Sequence, residues 1–273
     1  MKLNAQQVKN VREHLCGLEN ALGLPKAKTA EAVERLAAPE TPGFYIAELD
    51  HDDVAFIVAP IQYRGAPHLV EVGRGFVNGG KERPLKEHYR LLKKSGSRLL
   101  PPDGHLFWGT IDTLYEHREG AFKREIAGCN KVLGDAIRDY WVRLGSDLIY
   151  RPVGKDVVVH NPGTPLEWRV DRMLTGPDGF VTETKGADNY CFATLGTGDV
   201  KRVNTVFKAL TGVPAYVYRL NEPPALGKPD ITRAFGVLAI GGGCYLSGGS
   251  VGNFAPAFGW QARKISTGNQ GRK

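Results

Sequence analysis

LEWRVDRMLTGPDGFVTETKG, residues 166–186, joins two short alternating apolar runs through a Thr-Gly-Pro-Asp-Gly connection. Gly and Pro at those positions read as a turn, and the flanking alternation reads as two strands. Side chains alternate along a strand, so Glu183 and Lys185 share a face that Thr184 does not. A five-residue connection, 175–179, pairs Leu174 with Phe180 and sets Asp171 opposite Glu183. A four-residue connection sets Asp171 opposite Thr184, on the wrong face. The expected hairpin is therefore a register prediction, and a slip of one residue breaks it.

In the favourable register two carboxylates stand about 5 Å apart and repel each other unless a cation lies between them. Magnesium, or manganese in its place, suits oxygen ligands from one or two carboxylates, water and a phosphate. Such a metal polarises a phosphoryl oxygen and lowers the pKa of a bound water. Lys185 would orient or deprotonate that water and balance the charge that builds on phosphorus. Asp171 and Glu183 are the expected metal ligands, with Glu125 offering a further ligand or a hold on a metal-bound water.

Working outward, residues 118–144 read as one amphipathic helix, with Cys129, Val132, Leu133, Ala136, Ile137, Tyr140, Trp141 and Leu144 on a single stripe. Strands are expected at 155–160, 166–174 and 180–185. A helix at 200–211 follows, opened by Asp199 and closed by Gly212, and then a strand at 214–220. The order helix–strand–strand–strand–helix–strand, with Asp171 on the second strand and Glu183-Thr184-Lys185 ending the third, resembles the PD-(D/E)XK nuclease superfamily across residues 118–220. Val170 stands where that motif has its proline. The resemblance implies an α/β (or α+β) fold with a central mixed sheet flanked by helices. It also implies a metal-dependent endonuclease that hydrolyses DNA phosphodiester bonds, with Asp171, Glu183 and Lys185 as catalytic residues and Glu125 as an optional helix acid. Double-stranded DNA is the implied partner. Many such enzymes dimerise to cut both strands, so a homodimer is the implied assembly.

Around that core, residues 1–80 read as two helices and a small antiparallel sheet, with strands at 44–50, 53–63 and 68–77. Residues 81–117 read as a basic linker, 221–262 as a Gly- and Pro-rich β region, and 263–273 as a basic tail. In the linker and on the helix after the hairpin, Lys86, Tyr89, Arg90, Lys93, Lys94, Arg98, Lys201 and Arg202 are the candidate nucleic-acid contacts. The cations would meet phosphates and Tyr89 would stack on a base.

The 273 residues carry a formal charge of +7, and 42% are hydrophobic. That is an ordinary globular composition with a lean towards polyanionic partners. No apolar run is long enough for a membrane span, and the N-terminus has no secretion-type apolar segment, so a cytoplasmic protein is expected. Cys16, Cys129, Cys191 and Cys244 lie far apart in sequence, which indicates neither a zinc site nor a disulfide framework.

Two other readings compete. One is a non-catalytic nucleic-acid-binding or structural protein of a virus or mobile element, which shares the charge but not the need for the acids and Lys185. The other is a serine hydrolase using Ser250 in Gly248-Gly249-Ser250-Val251-Gly252, a match to G-x-S-x-G with no acid or histidine after it.

Overall fold

A computed structural model describes residues 44–49, 54–250 and 255–265. The helices expected before residue 44, the acidic run 50–53, the end of the G-x-S-x-G match and the tail beyond 265 lie outside these residues. The described chain is a mixed α/β structure with two sheets and five helices.

The first sheet is built mainly from the expected N-terminal strands. β1 (Tyr45–Glu48), β2 (Val54–Tyr63) and β3 (Ala66–Phe76) run antiparallel, and the Arg64-Gly65 pair at positive φ makes the two-residue turn between β2 and β3. Its fourth strand, β11 (Phe258–Lys264), comes from the other end of the chain and pairs with β3. Residues 263 and 264, expected in a basic tail, are instead strand. The sheet thus ignores the partition of the sequence into an N-terminal and a C-terminal part.

Three helices follow: α1 (Leu85–Ser95), α2 (Gly104–Glu116) and α3 (Lys123–Asp139). α1 and α2 occupy what reads as a linker. α2 is apolar nearly all round, burying Leu106, Phe107, Trp108, Ile111 and Leu114, so it lacks the polar face that makes a helix visible in sequence. α3 ends before the expected Leu144, because Tyr140 turns to extended backbone and β4 (Val142–Tyr150) begins. The stripe that seemed to run on to Leu144 belongs to two elements: Cys129, Leu133 and Ile137 on the helix, Leu144 on the strand.

The second sheet adds β5 (Asp156–His160), β6 (Trp168–Arg172), β7 (Gly179–Phe180), β8 (Ala215–Tyr218), β9 (Ile231–Ile240) and β10 (Gly243–Ser250). Its order is β6-β5-β4-β9-β10-β8-β7, so two strands adjacent in sequence form opposite edges. Residues 173–178 connect those edges with a reach of at most about 25 Å. A flat sheet would hold them roughly 29 Å apart. The sheet is therefore curled. It bends about α4 (Ala187–Leu195), which meets β6 where Arg172 covers Phe192 and meets β9 and β10 through Tyr190. α5 (Val200–Thr211) has the expected caps, Asp199 accepting from Arg202 N–H and Gly212 in the left-handed conformation. α2 contacts both sheets, and one apolar core runs through all the layers.

Candidate functional site

The acid–acid–lysine set is not assembled in the expected way. Asp171 pairs across to Val157 on β5, not to Glu183. Of the expected second strand only Phe180 is strand, together with Gly179 of the connection before it. Beyond them the chain turns helically, with the N–H groups of Glu183 and Thr184 both donating to Phe180 O at 3.0 Å. Asp171, Glu183 and Lys185 are exposed, and no hydrogen bond or ion pair joins any two of them. Glu125 sits on the first turn of α3, which packs on β1, β9 and α5. Among the described residues no three His, Cys, Asp or Glu side chains converge as a metal site needs. The cross-strand pairing of Asp171 with Glu183, the expected basis of a shared magnesium or manganese ion, is not formed. The other candidate nucleophile, Ser250, is exposed at the end of β10.

What organises residues 174–186 is a residue that composition does not single out. Arg219, 6% exposed, donates through Nη2 to Lys185 O (2.6 Å), through Nη1 to Gly186 O (3.0 Å) and Leu174 O (3.3 Å), and through Nε to Pro177 O (3.2 Å). Its own N–H is held by Asp178, and Asp156 accepts from the N–H groups of Leu174 and Thr175. The Gly-Pro-Asp-Gly stretch does interrupt the strand, but it wraps a guanidinium instead of closing a hairpin.

The densest buried polar constellation centres on Asp103, the N-cap of α2. Its Oδ1 accepts from Leu106 N–H, and its Oδ2 accepts from Tyr63 Oη (2.5 Å), Asn161 Nδ2 (2.7 Å) and Trp168 Nε1 (3.3 Å). Burial opposes its ionisation. His160 beside it and the bonds from Tyr63 and Leu106 outweigh that, and hold the carboxyl below its ordinary range. Burial, together with the same carboxylate, pushes the Tyr63 phenol far up. Arg64, 3.7 Å from Oδ2, lies over the Tyr63 and Trp168 rings and closes the cluster towards solvent.

His160 and His105 pack against Trp168, and both direct Nε2 at Ala193 O, at 3.1 and 3.2 Å. A carbonyl only accepts, so each Nε2 carries a proton. Nδ1 of neutral His160 then accepts from Ser146 Oγ at 2.9 Å, while Ser146 Oγ accepts from Gly104 N–H. The serine is fully buried, with its proton directed at His160 and its oxygen accepting from Gly104, so the pair ties strands to helix inside the core. Desolvation brings His160 down to about 3.

This gives a pH prediction. The unfolded chain protonates His160 near 6.5 and the folded chain near 3, so between those values the unfolded state binds more protons and stability falls as pH falls. From neutral pH to pH 5 the loss through His160 is expected to be about 2 kcal/mol. Urea melts of wild type and His160→Gln across that range check it, and the variant should show a shallower slope. Equal slopes would contradict the assignment.

The candidate nucleic-acid contacts divide into committed and free cations. Arg98 and Arg263 flank the fully buried Glu71 at 3.2 and 3.1 Å, so Arg98 is engaged in the interior. Arg202 reaches Asp112 at 2.5 Å and Glu116 at 3.2 Å. Tyr89 is half-buried and directs its hydroxyl inward, next to Gly145, where burial drives its pKa far up. Lys86, Lys93, Lys94 and Lys201 are exposed, as is Arg90, which pairs with Glu87.

On α1 the sorting has a structural cause. Leu85, His88 and Leu92 dock the helix, His88 donating to Ala255 O, while Lys86, Arg90, Lys93 and Lys94 fall within about 100° of the opposite side. Gly96 closes the helix in the left-handed conformation, next to Lys93 and Lys94, whose charges suit the C-terminal end of the dipole. Among the described helices none is long and apolar enough to cross a membrane. Compared with protein-family models, curated proteins and solved structures, the chain matches none.

Proposed function

We propose that the protein binds nucleic acid through the exposed face of α1. One observation supports this reading above the others: Lys86, Arg90, Lys93 and Lys94 form a single outward cationic stripe on a helix fixed to the sheet by buried residues. Most other candidate cations are spent on carboxylates, whereas the three lysines of this stripe carry no ion pair among the described residues. Lysines spaced along one helix face follow a line of phosphates and release counterions when they bind it. The reading needs no cleavage and makes no use of Asp171, Glu183 and Lys185.

The test is fluorescence anisotropy with labelled oligonucleotides over a range of salt. Lys86→Gln, Lys93→Gln and Lys94→Gln together are expected to reduce the slope of log K against log salt by about 2 to 3, at about 0.7 to 0.9 per lost phosphate contact. The fold should be unaffected, because all three side chains face solvent. A slope unchanged in the triple variant would reduce the stripe to a solvated helix face.

A further inference from the structure

The open face of the curled sheet extends the previous reading, on which it rests, to a class of ligand. Register pairs place Arg143 of β4, Gly236 of β9, Ser247 of β10 and Tyr218 of β8 in one row across the sheet. Two residues along each of the last three strands a second row runs Leu238, Tyr245, Tyr216, and Phe180 of β7 completes it. Cross-strand partners share a face, so both rows point the same way. The opposite face, with Val237, Cys244, Leu246, Ala215 and Val217, is buried in the core.

Phe180 and Tyr216 have ring centroids 5.4 Å apart, and Tyr216 and Tyr245 4.9 Å apart. Trp141 lies over Gly236, where a Cβ would come within 2.6 Å of its ring, and donates from Nε1 to Ser247 Oγ. Phe180 is 37% and Tyr218 53% exposed, large values for aromatic side chains on strands.

Arg143, which opens the first row, is covered from that side by α1, whose Tyr89 hydroxyl abuts Gly145 and whose His88 senses the Arg143 charge. The cationic helix and the aromatic rows therefore lie on one face of one sheet. β8, β9 and β10 carry no aspartate or glutamate. Asp147, on the same face of β4, is held by Arg143. Rings on carboxylate-free strands of the face whose other end carries the lysine helix match a ligand that has flat apolar faces strung on a polyanion.

We propose that this face takes single-stranded nucleic acid, with unpaired bases stacking on Phe180, Tyr216 and Tyr245 while the backbone runs towards α1. A duplex keeps its bases stacked on each other and offers the rings nothing. Base–aromatic stacking is indifferent to sequence, so little sequence preference is expected.

The experiment compares a labelled oligothymidylate, a duplex of equal length and heparin on four proteins. Threonine at 180, 216 and 245 keeps strand propensity and removes the rings. Phe180→Thr, Tyr216→Thr and Tyr245→Thr together are expected to weaken oligothymidylate binding at least about tenfold, leaving duplex and heparin binding unchanged. Tyr216→Phe with Tyr245→Phe keeps the rings and is expected to bind as wild type. The α1 triple glutamine variant is expected to lose affinity for all three ligands. Should the threonine variant melt early, Phe180→Ala and Tyr218→Ala, at exposed positions, replace it.

Unchanged oligothymidylate affinity without the rings overturns this proposal and leaves the α1 reading standing. Loss through the rings with none through α1 overturns the α1 reading instead. A wild-type dimer that the threonine variant dissolves also overturns it, giving the face to a second copy of the chain.

Discussion

Asp103→Ala is expected to cost about 4 kcal/mol of stability, most of what a domain of this kind has to spare. The substitution removes the N-cap of α2, a loss of about 1 kcal/mol by itself. It also strands the Tyr63 hydroxyl, the Asn161 amide and the Trp168 indole N–H, all of which converge on Oδ2. Those donors come from the β2–β3 hairpin, the β5–β6 connection and β6, so the carboxylate joins the two sheets at the start of the helix between them. Asp103→Asn should fare little better. An amide can keep either the cap or an acceptor towards the three donors, and its own N–H₂ must face donors on the other side. Guanidinium denaturation of the three proteins checks this, with Arg90→Ala, at an exposed pair, as a control expected to lose less than about 1 kcal/mol. Near-wild-type stability of Asp103→Asn would mean that the charge is not what the network requires.

Arg219→Met is the second large effect, expected at about 3 kcal/mol or more. Methionine fills much of the volume but leaves the carbonyl groups of Leu174, Pro177, Lys185 and Gly186 without their donor. Arg219→Lys should fall between, because an ammonium has three N–H groups and no planar fork to serve carbonyls on two sides. The damage should also be local before it is global. Limited trypsin digestion is expected to cut after Lys185 in the methionine variant under conditions where wild type stays intact. A variant that melts early yet resists cleavage there would contradict the role of Arg219 as the clamp of this segment.

Local chemistry was legible in the sequence, and partners distant along the chain were not. Strands β1 to β3, β5 and β8 and helix α5 follow from alternation, periodicity and the caps at Asp199 and Gly212, all properties of a few adjacent residues. The stretch 166–186 shows the limit. Its Thr-Gly-Pro-Asp-Gly residues do break the strand, with only a bend at Gly176, but the flanking runs pair with β5 and β8, and a register between strands is set by packing that no window of sequence contains. Periodicity misled at residues 140–144 because a helical stripe and the inward positions of the next strand happened to fall in phase. Gly145, just past the expected end of that helix, lies inside β4, where a Cβ would come within 2.6 Å of Pro101 O and 2.8 Å of the Tyr89 hydroxyl.

The candidate cations show the same limit. Arg98 and Arg202 look like Lys86 and Lys93 in sequence. They differ because Glu71 and Asp112, 27 and 90 residues away, fold onto them. The aromatic rows were present in the sequence as Phe180, Tyr216 and Tyr245, but spread over three strands whose neighbourhood only the sheet order reveals. Asp103 gave a fainter signal still, an Asp-Gly before an apolar run.

The most direct measurement of where nucleic acid lies on this protein is ultraviolet crosslinking to oligothymidylate, with the attached peptides identified by mass spectrometry. Crosslinks are expected at Tyr216, Tyr218, Tyr245 and Phe180 and within residues 86–94, and an excess of unlabelled single strand, but not of duplex, should suppress those at the rings. Crosslinks concentrated around Asp171, Glu183 and Lys185, with none on the open sheet face, would contradict both the stripe and the platform.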